Sequence, residues 1–353
     1  MEVKDKVDQS ISEILSTGAY VLGKYGTELE ETIAQRHGVK HGIAVNSGTD
    51  ALRILIQASG IMPGDEIIST AFTFVASIEV MLQVGVVPVF VDIEEEHLCI
   101  DPAKIEAAIT PRTKAIMPVH LFGQLANMTE IKRIADKHGL MILEDAAQSL
   151  YAHHNGQYCC TYGHGGGVSF YVTKNLGAIG DGGMILTNDD EVARRSRSLR
   201  IHGMGRERYY YDEVGYTSRL AEIQSAPLVH KLARLDDWNA RRAEIAGIYQ
   251  SVLAGTKIRV PMAAEGNNHT WHQFTILHDD RDGLMAHLKA HEVDSAIFYP
   301  VPIHLHAPYA EYGHGEGSLP VTESVSKRCL SLPVHQHLSN EQAEFAANLV
   351  KNY

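Results

Sequence analysis

The stretch Ser169-Phe170-Tyr171-Val172-Thr173-Lys174-Asn175-Leu176-Gly177 places a lysine directly after an apolar strand and before a glycine-bearing segment. Most lysines are solvated surface charges. A lysine that ends a strand and enters a loop can instead turn its amine into a cleft, because binding residues concentrate on loops that a rigid scaffold holds in place. Lys174 is therefore the first candidate for a chemically active side chain.

Short apolar runs alternate with amphipathic stretches around this segment, which predicts an α/β sheet covered by helices. Apolar residues recur at helical spacing in residues 50–58 and 127–138, so we expect these helices to pack on the sheet. The predicted strands barely alternate, as is typical of strands buried on both faces, and they cover residues 42–45, 66–70, 86–91, 115–119, 140–144, 168–171 and 184–187.

The alternation of short apolar runs and amphipathic stretches ends after about residue 219, where a long charged helical region contains Pro227. Shorter apolar runs and a Pro-rich stretch follow it. A chain of 353 residues is long enough for roughly two domains. We therefore expect a large domain over residues 1–235 and a smaller C-terminal domain over residues 236–353.

The formal net charge of -12 argues against a nucleic acid or an anionic membrane surface as a partner. The N-terminal residues lack the apolar core of a signal peptide, which favours a cytoplasmic protein. The 4 cysteines and 20 histidines do not show the paired spacing of a structural zinc site. We expect reduced thiols and no functional metal.

Asp145 comes at the end of an apolar strand, where ligands collect in open α/β sheets. A carboxylate there can pair with a protonated ring nitrogen, although it can also cap the next helix or bind a metal together with Glu144. Gln148 lies three residues further on and can face the same ligand, or it can be a solvated helix residue.

Asn46-Ser47-Gly48-Thr49-Asp50 follows a predicted strand and opens a predicted helix. The free N–H groups and the positive end of a helix dipole favour an anion at this point. Gly48 allows close approach, and the hydroxyls of Ser47 and Thr49 can donate hydrogen bonds. Ser, Thr and Asp also cap ordinary helices, so this segment alone does not identify a phosphate site.

Together these elements meet the needs of pyridoxal phosphate, namely a lysine for its aldehyde, a carboxylate for its pyridine nitrogen and N–H groups for its phosphate. Two other nucleotide-related classes are excluded. Tyr25 stands where a phosphate-binding NTPase loop needs Ser or Thr, and Val168 stands at the last glycine position of a dinucleotide fingerprint.

The order of several segments resembles the DegT/DnrJ/EryC1/StrS family of sugar aminotransferases, within the fold type I pyridoxal phosphate enzymes. The resemblance covers nearly the whole chain and implies an α/β large domain with a mixed seven-stranded sheet flanked by helices, plus a smaller C-terminal α+β domain. It also implies a homodimer whose active site is completed by the neighbouring subunit. The segments are SGTDAL, FTFVAS, HLFGQ, EDAAQS, SFYVTKN, GDGG, SRLAEIQSA and FYPVPIH.

The resemblance implies that Lys174 forms a Schiff base with pyridoxal phosphate, that Asp145 pairs with the pyridinium and that Gln148 lies near the ring hydroxyl. Phe74 takes the place of an aromatic residue that stacks on the cofactor, although composition alone favours core packing for a phenylalanine. The expected phosphate ligands are Ser47, Gly48, Thr49, Ser169 and, from the partner subunit, Thr217. Thr217 stands where the family usually has Asn, and it can donate only one hydroxyl bond.

The implied reaction moves an amino group from an amino acid, L-glutamate by resemblance, to a keto sugar, a nucleotide-linked 3-keto or 4-keto deoxyhexose. A keto-cyclitol aminotransferase and a non-catalytic cofactor-binding regulator are the alternatives. The expected substrate-binding residues are Arg206, Tyr209, Arg219 and His304. The basic, aromatic segment around Arg206 fits a diphosphate clamp and a solvated loop equally well.

Overall fold

The computed structural model describes residues 3–353. Its α-helices are α1 Lys4–Thr17, α2 Lys24–His37, α3 Gly48–Ala58, α4 Ala76–Gln83, α5 Pro102–Ile105, α6 Met128–His138, α7 Asp190–Leu199, α8 Glu222–Leu232, α9 Leu235–Leu253, α10 Arg281–Ala290, α11 Pro320–Arg328 and α12 Asn340–Lys351. None of the helices in this part of the chain combines the length and the apolar content needed to cross a membrane.

The strands are β1 His41–Val45, β2 Glu66–Thr70, β3 Val87–Val91, β4 Thr113–Ile116, β5 Met141–Asp145, β6 His153–His154, β7 Gln157–Tyr158, β8 Gly165–Ser169, β9 Gly183–Thr187, β10 Asn267–Asn268, β11 Phe274–Leu277 and β12 Cys329–Leu332. Within the described residues, seven of them form the large sheet, in the order β1-β9-β8-β5-β4-β2-β3. The strand β9 is antiparallel to its neighbours β1 and β8, whereas the remaining neighbours pair in parallel. The predicted mixed sheet is confirmed.

The helices α3 and α6 form because one face of each is apolar and can be buried on the sheet. In α3 the buried residues include Leu52, Leu55 and Ile56. Asn127 begins α6 by accepting a hydrogen bond from the Glu130 N–H, and Gly139 ends it at φ 63°. Both helices lie within two residues of their predicted bounds.

The strand β8 begins three residues earlier than the predicted strand over residues 168–171, because it includes a run of glycines. These glycines allow close packing. A Cβ on Gly167 would lie 2.9 Å from Leu52 Cδ2, and one on Gly165 would lie 2.8 Å from the Leu186 carbonyl oxygen. The missing side chains let α3 and β9 approach β8 closely, so the glycines belong to the sheet and not to a loop.

The C-terminal part has its own core around the two-stranded sheet of β11 and β12. Tyr249 of α9, Phe274 of β11 and Leu330 of β12 are fully buried there, together with residues of α10 and α12. The helical region predicted around Pro227 is divided into α8 and α9. The domain boundary between residues 235 and 236 stays a prediction, and α9 begins at Leu235.

Candidate active site

A cavity of about 530 Å³ opens at the edge of the large sheet where the parallel strands end. The strand ends meet there because β5 and β8 pair in parallel, with Asp145 opposite Gly167. Eight of the nine residues expected to bind the cofactor line this cavity, and they are Ser47, Gly48, Thr49, Phe74, Asp145, Gln148, Ser169 and Lys174. The sheet therefore brings together side chains that lie far apart in the sequence.

The N-terminus of α3 forms one wall of the cavity. Ser47 caps the helix by accepting a hydrogen bond from the Asp50 N–H at 3.0 Å, which leaves the serine hydroxyl hydrogen free to donate. The N–H groups of Gly48 and Thr49 occupy the first helical positions and have no intrahelical acceptor. A Cβ on Gly48 would lie 2.7 Å from Ser169 Cβ, so only glycine fits at this position. This wall can hold a phosphate.

Asp145 is buried at the end of β5, and both of its carboxylate oxygens are held in place. Oδ2 accepts a hydrogen bond from Ser77 Oγ at 2.6 Å, and Oδ1 accepts one from the Ala147 N–H at 3.1 Å. Burial raises the pKa of Asp145, while the bonds from Ser77 and Ala147 and the charge of Lys174 oppose that rise. A protonated ring nitrogen in the cavity would supply the cation that this buried carboxylate needs.

Lys174 follows β8 and lines the same cavity. Burial lowers the pKa of Lys174 to about 8, because the charged ammonium is poorly solvated there, and the Asp145 charge only partly compensates. The next residue, Asn175, is buried and donates hydrogen bonds to Asn239 Oδ1 and the Thr270 carbonyl. A large fraction of the Lys174 amine is therefore neutral and nucleophilic near pH 8.

Gln148 and Phe74 complete the part of the cavity between these groups. Gln148 Oε1 accepts a hydrogen bond from the Phe122 N–H at 2.8 Å, and its Nε2 donates to the Tyr299 hydroxyl at 3.1 Å. One N–H of the Gln148 amide is left for a ligand oxygen. Phe74 is 54% exposed and its ring lies 6.2 Å from that of Tyr299, so it is not a core residue.

The other predicted site residues do not line the cavity of this chain. Thr217 is exposed and its hydroxyl contacts His202. Arg206 and Tyr209 are exposed in the segment before it, and Arg219 is half-buried. None of these four residues therefore lines the cavity with Lys174 within one subunit.

His304 also lies away from the cavity, in a short 3-10 helix over Ile303–Leu305. The side chain is fully buried, and its Nε2 hydrogen-bonds to Glu323 Oε1 at 3.1 Å. Glu323 also accepts hydrogen bonds from the Gly317 and Leu319 N–H groups. In this subunit His304 therefore holds the loop before α11 and contacts no cavity-lining group through its imidazole.

Several cavity-lining residues were not predicted from the sequence, and Ser77, His272 and Tyr299 are among them. Ser77 and Tyr299 lie within the quoted family segments, but only the folded chain shows that they contact Asp145 and Gln148. His272 lies outside those segments, and no local pattern singles it out. Among residues 3–353, no group of three or more His, Cys, Asp or Glu side chains is arranged to hold a metal ion.

Comparison with known proteins agrees with this geometry. The model of the DegT/DnrJ/EryC1/StrS aminotransferase family matches residues 2–351. The chain belongs to this family. This DegT/DnrJ/EryC1/StrS aminotransferase is 42% identical to a UDP-N-acetyl-3-dehydro-alpha-D-glucosamine 3-aminotransferase of Acidithiobacillus ferrooxidans, over 99% of the chain and 94% of the relative.

Two further relatives have different descriptions. A pleiotropic regulatory protein of Geobacillus stearothermophilus is 42% identical, over 100% of this chain and 95% of its own length. The crystal structure of S. venezuelae DesV in complex with a ketimine intermediate superimposes with a TM-score of 0.97 at 42% identity. That match covers 99% of this aminotransferase and 95% of DesV.

The residues of the cavity fit pyridoxal phosphate. A side chain at position 48 would clash with Ser169. Because Gly48 has none, the N–H groups at the start of α3 remain accessible to a phosphate. Asp145 is a buried carboxylate without a bonded cation, and Lys174 has a neutral amine available near pH 8. These donors, acceptors and charges match the phosphate, ring nitrogen and aldehyde of the cofactor.

Proposed function

We propose that this DegT/DnrJ/EryC1/StrS family member binds pyridoxal phosphate and transfers an amino group from L-glutamate to a keto sugar carried on a nucleoside diphosphate. The observation that carries the proposal is the cavity that combines the Lys174 amine, the Asp145 carboxylate and the N-terminus of α3. No one of these groups would identify the chemistry, but an aminotransferase needs all of them around one cofactor.

Pyridoxal phosphate, when bound, supplies an aldehyde that accepts an amino group and a ring that spreads the charge left when a neighbouring C–H bond loses its proton. Ser47, Gly48, Thr49 and Ser169 would hold its phosphate. Asp145 would keep the ring nitrogen protonated, and its bonds to Ser77 and Ala147 fix the direction of its carboxylate.

Lys174 would first hold the cofactor covalently and then act as the proton carrier. The Nζ of Lys174, when free, would accept the α-proton of the amino donor, because burial lowers the pKa of that nitrogen to about 8. The same nitrogen returns a proton to the sugar carbon that receives the amino group. A matched pKa allows both transfers with one side chain.

The sugar substrate is assigned by analogy to the relatives. The Acidithiobacillus relative is named for a UDP-linked 3-dehydro sugar, which supports a ketone at C3 in preference to C4. Arg206 and Arg208, the exposed arginines of the segment over residues 200–211, would bind the diphosphate, since arginine side chains pair with phosphate oxygens in a fork geometry. Arg219 and Tyr209 would then contact the nucleotide or the sugar.

A homodimer would place Thr217, and with it the segment around Arg206, against the cavity of the neighbouring subunit. The exposed aromatic side chains Phe74, Tyr209, Tyr210 and Tyr211 are the kind of apolar surface that a second copy would cover. Light scattering on the purified protein should give twice the mass of 38.9 kDa. A monomeric mass would leave the site without Thr217.

The covalent role of Lys174 is tested by reducing the protein loaded with pyridoxal phosphate with borohydride and digesting it. We expect the added mass on the peptide that contains Lys174, and none in Lys174→Ala. Lys132→Ala, which removes an exposed lysine of α6, serves as the control and should label like the unchanged protein. Labelling of a different peptide would refute the proposed function.

A cofactor-binding regulator is the second candidate, because the Geobacillus relative is described as a pleiotropic regulatory protein. Adding glutamate separates the two functions. An aminotransferase converts the absorbance of its aldehyde cofactor to that of the amine form and releases 2-oxoglutarate. A regulator binds the cofactor and leaves its spectrum unchanged.

A further inference from the structure

Two hydroxyl groups near the start of α4 lead to the Asp145 carboxylate. Thr73 precedes α4, and Ser77 is the second residue of that helix. Both residues line the cavity and are almost fully buried, with 2% and 1% of their surface exposed. Thr73 Oγ1 lies 2.8 Å from Ser77 Oγ, which in turn lies 2.6 Å from Asp145 Oδ2. The three side chains therefore form one continuous chain of hydrogen bonds.

The number of available hydrogens sets the direction of this chain. An ionised carboxylate has no hydrogen to donate, so the Ser77 hydroxyl donates to Asp145 Oδ2. Ser77 has a single hydroxyl hydrogen, and the Phe74 carbonyl, a second acceptor for it, is further away at 3.2 Å. Since Ser77 uses its hydrogen on Asp145, it can only accept from Thr73. Thr73 therefore donates to Ser77 whenever Asp145 is ionised.

This direction favours the ionised form of Asp145. A hydroxyl oxygen that accepts a hydrogen bond becomes a stronger donor through its own hydrogen, and the low dielectric of a buried site strengthens each bond. Without the Thr73 hydroxyl, the Ser77 hydrogen would also be freer to turn toward the Phe74 carbonyl. Thr73 therefore strengthens the bond that Ser77 makes to Asp145.

We propose that Thr73 is a positioning residue for Asp145, and that its hydroxyl acts through Ser77 to keep the carboxylate ionised and fixed in direction. The pairing of this carboxylate with a ring nitrogen rests on the proposed function. The chain of hydroxyl groups does not, because it can be tested in protein that holds no cofactor.

Other titratable groups also act on Asp145. Among the described residues they are Lys174 after β8, His120 after β4, Tyr299 before β12 and Cys160 before β8. Burial raises the pKa of Asp145, while its hydrogen bonds and the charges of Lys174 and His120 lower it. Burial raises the pKa values of Tyr299 and Cys160, so both are neutral where Asp145 titrates. Substitutions at Thr73 leave all four groups in place.

The pKa of Asp145 can be measured in the full chain without cofactor. Its signal in the ¹³C NMR spectrum of protein labelled at the aspartate carboxyl carbons is identified by its loss in Asp145→Asn. Thr73→Val removes the hydroxyl and keeps the size of the side chain. We expect the pKa of Asp145 to rise by about half a pH unit, which is less than the rise in Ser77→Ala. Thr73→Ser keeps a hydroxyl and should stay close to the unchanged protein.

A double variant separates this role from packing. Ser77→Ala cuts the link between Thr73 and Asp145, so adding Thr73→Val should cause no further rise, whereas a packing effect would add the same shift with or without Ser77. Thr70→Val is the matched control. Thr70 is as buried as Thr73, but its hydroxyl accepts from the Phe72 N–H and, in the described chain, does not bond to Ser77 or Asp145.

Three results would overturn the role of Thr73: an unmoved pKa of Asp145 in folded Thr73→Val, an equal rise in Thr70→Val, or an additive rise in the double variant. In protein loaded with pyridoxal phosphate, the rate of reaction with glutamate should decline at a higher pH in Thr73→Val than in the unchanged protein. Failure of the unchanged, loaded protein to react with glutamate would refute the proposed function and would leave the NMR result on Thr73 standing.

Discussion

At the scale of single residues, Asp145 shows how the fold keeps a buried carboxylate ready for a cation. Burial raises its pKa, and the hydrogen bonds from Ser77 and Ala147 counter that effect. Such a group is costly in an empty cavity and favourable beside a protonated ring, since the opposite charge compensates for the loss of water. The site therefore gains most of its electrostatic balance when the cofactor binds.

Asp145→Asn should retain the fold and lose the reaction. The amide has nearly the same shape, but it cannot hold a proton on the ring nitrogen by opposite charge. We expect the rate of the glutamate half-reaction to fall by about 100-fold or more, with a smaller loss of cofactor affinity. Stopped-flow absorbance measures the rate, and a decrease of less than a few fold would contradict the role of Asp145.

Ser77→Ala should move the pH dependence of the same half-reaction. The hydrogen bond from Ser77 lowers the pKa of Asp145, so its removal raises that pKa. Asp145 then becomes protonated, and therefore neutral, at a higher pH than in the unchanged protein. Because the ionised carboxylate is required, the acid limb of the rate profile should shift to higher pH. Ser149→Ala is the control, since the buried Ser149 hydroxyl has no hydrogen-bond partner in the described chain.

The sequence predicts the cavity-lining residues that directly follow strands, but it does not predict residues that reach the cavity from distant parts of the chain. Lys174 and Asp145 were recognisable because a charged side chain at the end of an apolar strand is a local signal. Ser77 contacts Asp145 across 68 positions of sequence, and His272 reaches the cavity from the C-terminal part of the chain. Such long-range contacts have no local periodicity, so only the folded chain reveals them.

At the scale of elements, the turn before α3 is confined by the first residue of β9. A Cβ on Gly183 would lie 2.3 Å from the Ser47 carbonyl oxygen and 2.6 Å from the Gly48 nitrogen. These are backbone atoms, so they cannot move aside as the end of a side chain can. The one antiparallel strand beside β8 therefore fixes the position of the helix N-terminus that is expected to hold the phosphate.

Gly183→Ala should displace this turn and weaken cofactor binding. We expect the dissociation constant for pyridoxal phosphate to rise at least tenfold, which corresponds to about 1.4 kcal/mol, together with a lower melting temperature. Gly247→Ala is the matched control, because Gly247 lies inside α9 and a Cβ added there would meet no neighbouring element within 4 Å. That change should stabilise the protein by up to about 1 kcal/mol and leave cofactor binding unchanged.

The elements themselves were largely predictable, since the apolar runs and the helical stripes are local features. The start of β8 was not, because glycine has a low strand propensity. Its glycines are in the sheet for a tertiary reason, namely the close approach of α3 and β9. In the same way, nothing in the sequence around His304 shows that its ring is bonded to Glu323 inside the chain.

At the scale of the whole molecule, the arginine-bearing segment is separate from the cavity within one subunit. Arg206 lines an open groove with Arg194, Arg197 and Tyr210. The proposed homodimer would bring this groove toward a neighbouring active site. The chemistry would then be performed by one subunit, and part of the substrate would be held by the other.

Arg206→Ala should affect the two substrates differently. Loss of a charge-assisted bond to a diphosphate should raise KM for the nucleotide sugar about tenfold, while KM for glutamate should hardly change because glutamate has no diphosphate. Steady-state kinetics with each substrate varied in turn measures the difference. Arg133→Ala, on the exposed face of α6, is the control, and equal effects on both substrates would argue against a diphosphate clamp.

The pairing of β5 with β8, in which Asp145 lies opposite Gly167, has a consequence for how this enzyme diversifies. Backbone hydrogen bonds between adjacent strands set the span from Asp145, the proposed partner of the ring nitrogen, to Ser169, the proposed phosphate ligand, and no surface change can alter that span. The segment around Arg206 lies outside the sheet, and its backbone hydrogen bonds, such as that from the Gly205 N–H to the Tyr210 carbonyl, join it to itself. Changes in that exposed segment can therefore alter the sugar preference, while the residues proposed to bind the cofactor keep their positions.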